Sequence, residues 1–222
     1  MNNSRFITLE GGEGSGKSTQ IGRLASRLTA LGHVVTTTRE PGGSKGGEQI
    51  RKLLVEGEPD RWSPMTEALL MYAARRDHVE KLIKPALARG EWVICDRFFD
   101  STMAYQGYAG ELGVATVMVL NETVMQGFAP DLTLILDLPV QEGLKRAGHR
   151  ISQNNDGHDD AEDRFEKKGT AFHEALRDGY LAIAAHDKQR CAIVDATGTP
   201  EDVSERLWQI LKARLDTNNG IA

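Results

Sequence analysis

The chain has 222 residues, 40% hydrophobic and 27% charged, with a formal net charge of −5. That balance suits a single globular α/β domain over residues 1–222, with enough chain to bury a core without disulfides. An acidic surface gives no support to bulk binding of nucleic acid or membrane, although it leaves room for a local basic pocket.

The first predicted element is a buried strand over 6–9, Phe6-Ile7-Thr8-Leu9. It runs into residues 11–18, Gly-Gly-Glu-Gly-Ser-Gly-Lys-Ser, which match the phosphate-loop pattern G-x-x-x-x-G-K-[ST]. A helix follows, with Ile21, Leu24, Ala25, Leu28 and Leu31 at helical spacing and Gly32 as its stop. A second strand is expected over 34–38. Ser63-Pro64 marks a helix start and Gly90 a stop, with Pro85 expected to kink or divide the stretch between them. Strands are then expected over 92–95, 132–138 and 192–194. Thr199-Pro200-Glu201-Asp202 has the form of a capping box at the start of a last helix. Five apolar strands alternating with amphipathic helices predict a five-stranded parallel sheet with helices on both faces.

Residues 148–163 depart from this pattern, being rich in Asn, Asp, Gly and His and nearly free of apolar side chains. Such a segment cannot bury much surface and is expected to be mobile. Lys145, Arg146 and Arg150 precede or open it, and Arg164, Lys167 and Lys168 follow. It reads either as a solvated loop or as a lid that carries arginine to phosphate. His149 and His158 with Asp156, Asp159 and Asp160 match no recognised metal-ligand spacing. Cys95 and Cys191 each border an apolar run and have no metal-type spacing, which fits buried thiols in a reducing cytoplasm. No run of about 18 apolar residues and no long apolar leader is present, so a secreted or membrane-spanning chain is not expected.

The order strand, glycine loop, helix is what a phosphate cradle requires. Glycines let the backbone wrap closely with its N–H groups toward phosphate oxygens, and the helix N-terminus adds partial positive charge. Gly11, Gly12, Glu13, Gly14, Ser15, Gly16, Lys17, Ser18 and Thr19 are therefore the expected nucleoside triphosphate site. Lys17 would reach the β- and γ-phosphates, and the Ser18 hydroxyl would bind Mg²⁺. The run Trp92-Val93-Ile94-Cys95-Asp96 ends an apolar strand in a carboxylate, which would approach the same metal. Arg97 follows at the carboxyl end of the sheet, where its planar fork suits a second phosphate group.

Further segments make the likeness specific. They are Thr38-Arg39-Glu40-Pro41-Gly42-Gly43, Leu69-Leu70-Met71-Tyr72-Ala73-Ala74-Arg75 and Asp96-Arg97-Phe98, followed by Ala104-Tyr105-Gln106-Gly107, Pro130-Asp131-Leu132-Thr133 and Asp163-Arg164-Phe165-Glu166. With these in order over nearly its whole length, the chain resembles the bacterial thymidylate kinases, P-loop nucleoside monophosphate kinases. The resemblance implies transfer of the γ-phosphoryl group of ATP to dTMP, with Mg²⁺, in a cytoplasmic homodimer packed through helices. It implies a dTMP site in which Glu40 and Pro41 line the pocket near the sugar and the metal. Arg51 and Arg97 would hold the dTMP phosphate, Arg75 would hydrogen-bond thymine, and Thr102 and Gln106 would contact the base.

Two departures from the family pattern stand out. Where many relatives stack a phenylalanine on thymine, this chain has Met71 with Tyr72 beside it, and either could pack on the ring. The segment between Arg150 and Asp163 is longer than the usual lid, placed at about 147–165. Glu13 stands where some thymidylate kinases have arginine, so the resemblance implies a catalytic cation from the lid, with Arg150, Arg146 and Arg164 as candidates. The competing readings are another nucleoside monophosphate or deoxynucleoside kinase, and a P-loop regulatory ATPase switch. The N-K-x-D segment of switch GTPases is absent.

Overall fold

The computed structural model describes residues 4–57, 61–153 and 168–219. Strand β1 (Phe6–Gly11) leads through the glycine loop into α1 (Lys17–Ala30), followed by β2 (Val35–Arg39), α2 (Lys45–Val55) and α3 (Pro64–His78). A π-helical turn (Val79–Ile83) joins α3 to α4 (Lys84–Ala88), and β3 (Trp92–Asp96) comes next. Helix α5 (Phe99–Thr102) and a second π-helical turn (Met103–Tyr108) precede α6 (Val114–Met125). The chain continues through β4 (Leu132–Asp137), α7 (Val140–Gln153), α8 (Thr170–His186), β5 (Cys191–Asp195) and α9 (Pro200–Asn219).

The strands form one parallel sheet in the order β2-β3-β1-β4-β5. The chain leaves β1 toward one side and reaches β4 on the other, so the carboxyl ends around β1 form the crevice where ligands bind in wound α/β sheets. Alternation along β1 divides the core. Ile7 and Leu9 pack with Leu24, Leu28, Leu207 and Trp208 of α1 and α9. Phe6, one residue out of phase, packs with Ile83, Phe98 and Val117 on the opposite face. Burying each such side chain is worth about 1.5–3 kcal/mol. Glu10 shares the phase of Phe6 and is fully buried at the strand's carboxyl end, placing a carboxylate beneath the crevice.

The strand boundaries fall within a residue or two of those expected, but burial does not follow throughout. β2 and β5 are the sheet edges, and Val34 and Ile193 are exposed. An edge strand has a neighbour on one side only, so the runs 34–38 and 192–194 are not buried in full. The division before Pro85 takes the form of a π turn, which widens the helix where proline lacks an N–H and crowds the preceding carbonyls. The Thr199–Asp202 box closes in both directions, Thr199 N–H donating to Asp202 Oδ2 at 3.1 Å and Asp202 N–H to Thr199 Oγ1 at 3.2 Å. Cys95 and Cys191 are both buried and free. The first residues of the polar stretch, 148–153, are helical, because α7 continues to Gln153. The rest of the expected lid, with Arg164, His158 and the neighbouring aspartates, lies outside the described residues.

Candidate active site

The glycine loop folds around its own lysine. Lys17 Nζ donates to Gly11 O and Gly12 O, each at 3.1 Å, and Ser15 Oγ donates to Gly12 O at 2.8 Å. Burial, then the charge of Arg97, pushes the Lys17 amine below its ordinary value, against Asp96, Glu13 and Glu10. Gly14 has φ +66°, and a Cβ there would lie 2.1 Å from Gly143 O of α7. A Cβ on Gly143 would in turn meet Glu13 O at 2.5 Å. The loop therefore rests backbone to backbone on α7, a contact only two glycines permit.

Asp96 ends β3 beside the loop. Its Oδ2 accepts from Ser18 Oγ at 3.2 Å, while Oδ1 is buried with no partner among the described residues. A hydroxyl and a half-free carboxylate form an oxygen donor pair that suits a hard divalent cation. Among the described residues there is no cluster of three or more His, Cys, Asp or Glu side chains able to hold a metal.

Arg97 follows with φ +65°, in the left-handed region that a residue with a Cβ enters at a cost. Its guanidinium donates to Gly11 O at 3.2 Å, Ser101 Oγ at 3.2 Å, Tyr180 OH at 3.1 Å and Glu13 Oε1 at 3.0 Å. Tyr105 OH donates to the same Glu13 oxygen. Burial alone would raise the Glu13 carboxyl, but the charges of Arg97 and Lys17 and the Tyr105 hydrogen bond hold it at about 2. Glu13 is thus the counter-ion that positions Arg97.

Two clefts meet at this arginine. One runs along the loop, about 890 Å³ including space open to solvent, with Lys17, Ser18, Thr19, Arg39, Asp96 and Arg146 in its wall. The other, about 700 Å³, is lined by Pro41, Leu54, Met71, Arg75, Phe98 and Gln106, among others. Glu13, Glu40, Arg51 and Arg97 belong to both walls. The residues the two clefts share sit where a group could pass from one cleft to the other.

In the second cleft Arg75 is held almost entirely by protein. Its Nε–H donates to Glu40 Oε2 at 2.7 Å, and Nη2 donates to Phe98 O at 3.2 Å and Thr102 Oγ1 at 3.0 Å. The guanidinium lies 4.9 Å from the Tyr72 ring centroid and 5.3 Å from that of Phe98. His78, fully buried, links Nδ1 to Glu40 Oε1 at 2.9 Å and Nε2 to Thr38 Oγ1 at 2.8 Å. A carboxylate only accepts, so Nδ1 carries the proton that faces Glu40. Of the Arg75 nitrogens, Nη1 is buried with no partner among the described residues, so its two N–H groups are unmatched by protein there.

A family model described as "Thymidylate kinase" matches residues 9–207. The chain belongs to the thymidylate kinase family. The thymidylate kinase of Caulobacter vibrioides is 54% identical over 97% of this chain and 99% of its own length. That of Afipia carboxidovorans is 51% identical over 95% and 90%. Among solved structures, the crystal structure of thymidylate kinase from Ehrlichia chaffeensis is 33% identical, with a TM-score of 0.72 over 94% of this chain and 99% of that one.

Most residues expected at the thymidylate kinase dTMP site converge in the second cleft: Glu40, Pro41, Arg51, Met71, Arg75, Arg97, Thr102 and Gln106. Tyr72 does not. It is buried in the core with its hydroxyl donating to Val117 O at 3.3 Å. Met71 and Arg75, four apart, share a helix face, whereas the next residue turns about 100° away. Met71 is the side chain presented to the cleft, and Tyr72 supports Arg75 from behind. Arg146 reaches the wall of the loop cleft but is bonded to Glu142 and Ala196 O. The Arg150 side chain and all of Arg164 lie outside the described residues.

Glu10, Ser101, Tyr105 and Tyr180, none of them among the residues expected at the site, form one network with Arg97 and Glu13. Glu10 accepts from Phe98 N–H at 2.7 Å, Ser101 Oγ at 2.5 Å and Tyr180 OH at 3.3 Å. A carboxylate within an apolar strand run was the available signal. Burial first, and the Asp100 charge second, push Glu10 from 4.5 up to about 7, against Ser101, Arg97 and the Phe98 amide. A carboxyl raised on folding contributes stability that is fully present below about pH 4.5 and gone once pH passes about 7. The swing is roughly 3 kcal/mol. Urea unfolding of Glu10→Gln across pH 4–8 should show it, with wild type losing that much relative to the variant between pH 4.5 and 7. Parallel profiles would refute it.

Proposed function

We infer that the chain transfers the γ-phosphoryl group of ATP to dTMP, giving dTDP and ADP. The observation that carries this reading is the junction of the two clefts. A phosphate-loop cleft and a base-sized cleft share Arg97 and Arg51, so a donor γ-phosphate and an acceptor phosphate would meet between two guanidinium groups. The dTMP phosphate has a second pKa of about 6 and is largely dianionic at neutral pH, so it is its own nucleophile. The residues need only align and neutralise the reacting groups. This agrees with Glu13 being engaged by Arg97 and Tyr105 instead of being free to act as a base.

Lys17 would move from loop carbonyls to the β- and γ-phosphate oxygens. Ser18 and Asp96 would hold Mg²⁺, which when bound neutralises charge on the phosphates. Arg97 and Arg51 would clamp the acceptor phosphate. Met71 and Phe98 would pack on the base, and Arg75 Nη1 would donate to a base carbonyl. Arg150, Arg146 and Arg164 remain the candidates for a cation closing over the donor.

We propose a homodimer packed through α3 and α6. Met65 and Leu69 on α3 and Met118 and Val119 on α6 are exposed, and these two helices are neighbours. Sedimentation should give twice the chain mass, and Val119→Asp should shift it toward the monomer. Two buried free thiols support a reducing, cytoplasmic location, and among the described residues no helix is long and apolar enough to cross a membrane.

A coupled assay of ADP release with dTMP, dUMP, dCMP and dGMP tests the reaction. Turnover should be fastest with dTMP and depend on added Mg²⁺. Equal turnover with all four acceptors, or ADP release indifferent to the acceptor, would overturn it.

A further inference from the structure

Gln106 lines the base-sized cleft while 5% exposed, and its Nε2 donates to Glu67 Oε1 at 2.8 Å. Glu67 is itself only 7% exposed, and it does not line the cleft. It sits in the first turn of α3, where the helix dipole favours an anionic side chain. An amide can exchange its N and O ends by a half-turn with almost no change of shape. A carboxylate cannot donate, so only the NH₂ end of Gln106 can face Glu67. The carbonyl oxygen is then the end available to a ligand.

We propose that Glu67 is a specificity-determining positioning residue. By fixing the orientation of the Gln106 amide, it makes the cleft select a pyrimidine with a ring N–H beside a carbonyl over one with a bare ring nitrogen beside an amine. The inference rests on the reading of this cleft as the dTMP site. Thymine offers O4 as acceptor and N3–H as donor, matching the Arg75 Nη1 donors and the Gln106 oxygen. Cytosine offers the reverse at both positions. Its amine would face the Arg75 donors, and its N3 lone pair would face the Gln106 oxygen. Glu67 touches neither base and acts on it through Gln106. With Glu67 neutralised, Gln106 can turn over and donate to a bare ring nitrogen. The Arg75 mismatch remains, so the enzyme becomes less selective without becoming a cytidylate kinase.

The test is the ratio of kcat/KM for dTMP to that for dCMP. Glu67→Gln keeps the size of the side chain while removing its acceptor-only character, and Glu67→Leu provides a second variant with no partner for the amide. Either should lower the ratio about tenfold, the scale of one misoriented hydrogen bond. The ATP KM should stay within about twofold, since neither residue lines the phosphate-loop cleft. In a Gln106→Ala background, the same Glu67 substitution should leave the ratio unchanged, because the group it orients is gone. A wild-type preference for dTMP that survives both substitutions in folded protein overturns the proposal. So does an equal fall in the Gln106→Ala background. A wild type without preference for dTMP over dCMP overturns the reading of the cleft, and this proposal with it.

Discussion

Lys17→Ala should lower kcat for dTMP phosphorylation by about 10²-fold or more, the scale of losing a preorganised charge at the transferring group. Lys17 is 8% exposed, and its Nζ is held within the loop by two carbonyls and Ser15 Oγ at 3.4 Å. It is the only cation in the motif, because Glu13 takes the place of a second one and is itself paired with Arg97. Alanine also leaves Gly11 O and Gly12 O without that donor, so a melting curve should accompany the rate. A folded variant with kcat near wild type would remove the assignment of the loop as the donor site.

Arg75→Ala should have two separable effects. Arg75 and Glu40 form an ion pair with side chains 2% and 3% exposed. Removing one partner of a buried pair strands the other charge, at about 3–5 kcal/mol of stability. The second effect is on recognition. Without the Nη1 donors the base loses its carbonyl contact, and kcat/KM for dTMP should fall about 10²-fold or more. The ATP KM should hold within about twofold, because Arg75 is absent from the wall of the loop cleft. Denaturant unfolding gives the first quantity and separate saturation curves the second. A rise in ATP KM with dTMP KM unchanged would show that the two clefts are assigned the wrong way round.

The phosphate-loop part of the candidate site was legible because its geometry is local. Strand 6–9, the loop and the helix from Lys17 are contiguous, so spacing alone orders them. Asp96 and Arg97 were readable for the same reason, as a charge pair closing an apolar strand. The acceptor half is built from residues distant in sequence. Gln106 meets Glu67 across 39 positions and Arg75 meets Glu40 across 35, and no periodicity reports such a pairing. Met71 and Tyr72 show the limit most simply. Both are adjacent apolar residues in one helical run, and only the packing of α3 decides that the first faces the cleft and the second the core. Glu10 carried a signal, a carboxylate at the end of an apolar run, but its role was not legible, because only the tertiary network shows what the carboxylate holds. The edge positions of β2 and β5 were likewise invisible, because strand order belongs to the connections and not to the strands.

The seating of the phosphate loop on α7 ties the two backbones together. Over 14 residues that helix is about 21 Å long, and near one end Gly143 bears directly on the loop at Glu13 O and Gly14. With no side chain between the two backbones to give way, the position of α7 and that of the turn holding Lys17 are fixed against each other. The loop and the helix are consequently inseparable as parts. A chimera that imports residues 11–18 from a relative with a bulkier residue at 14, or exchanges α7 without glycine at 143, would jam the joint, however well each piece folds in its own protein.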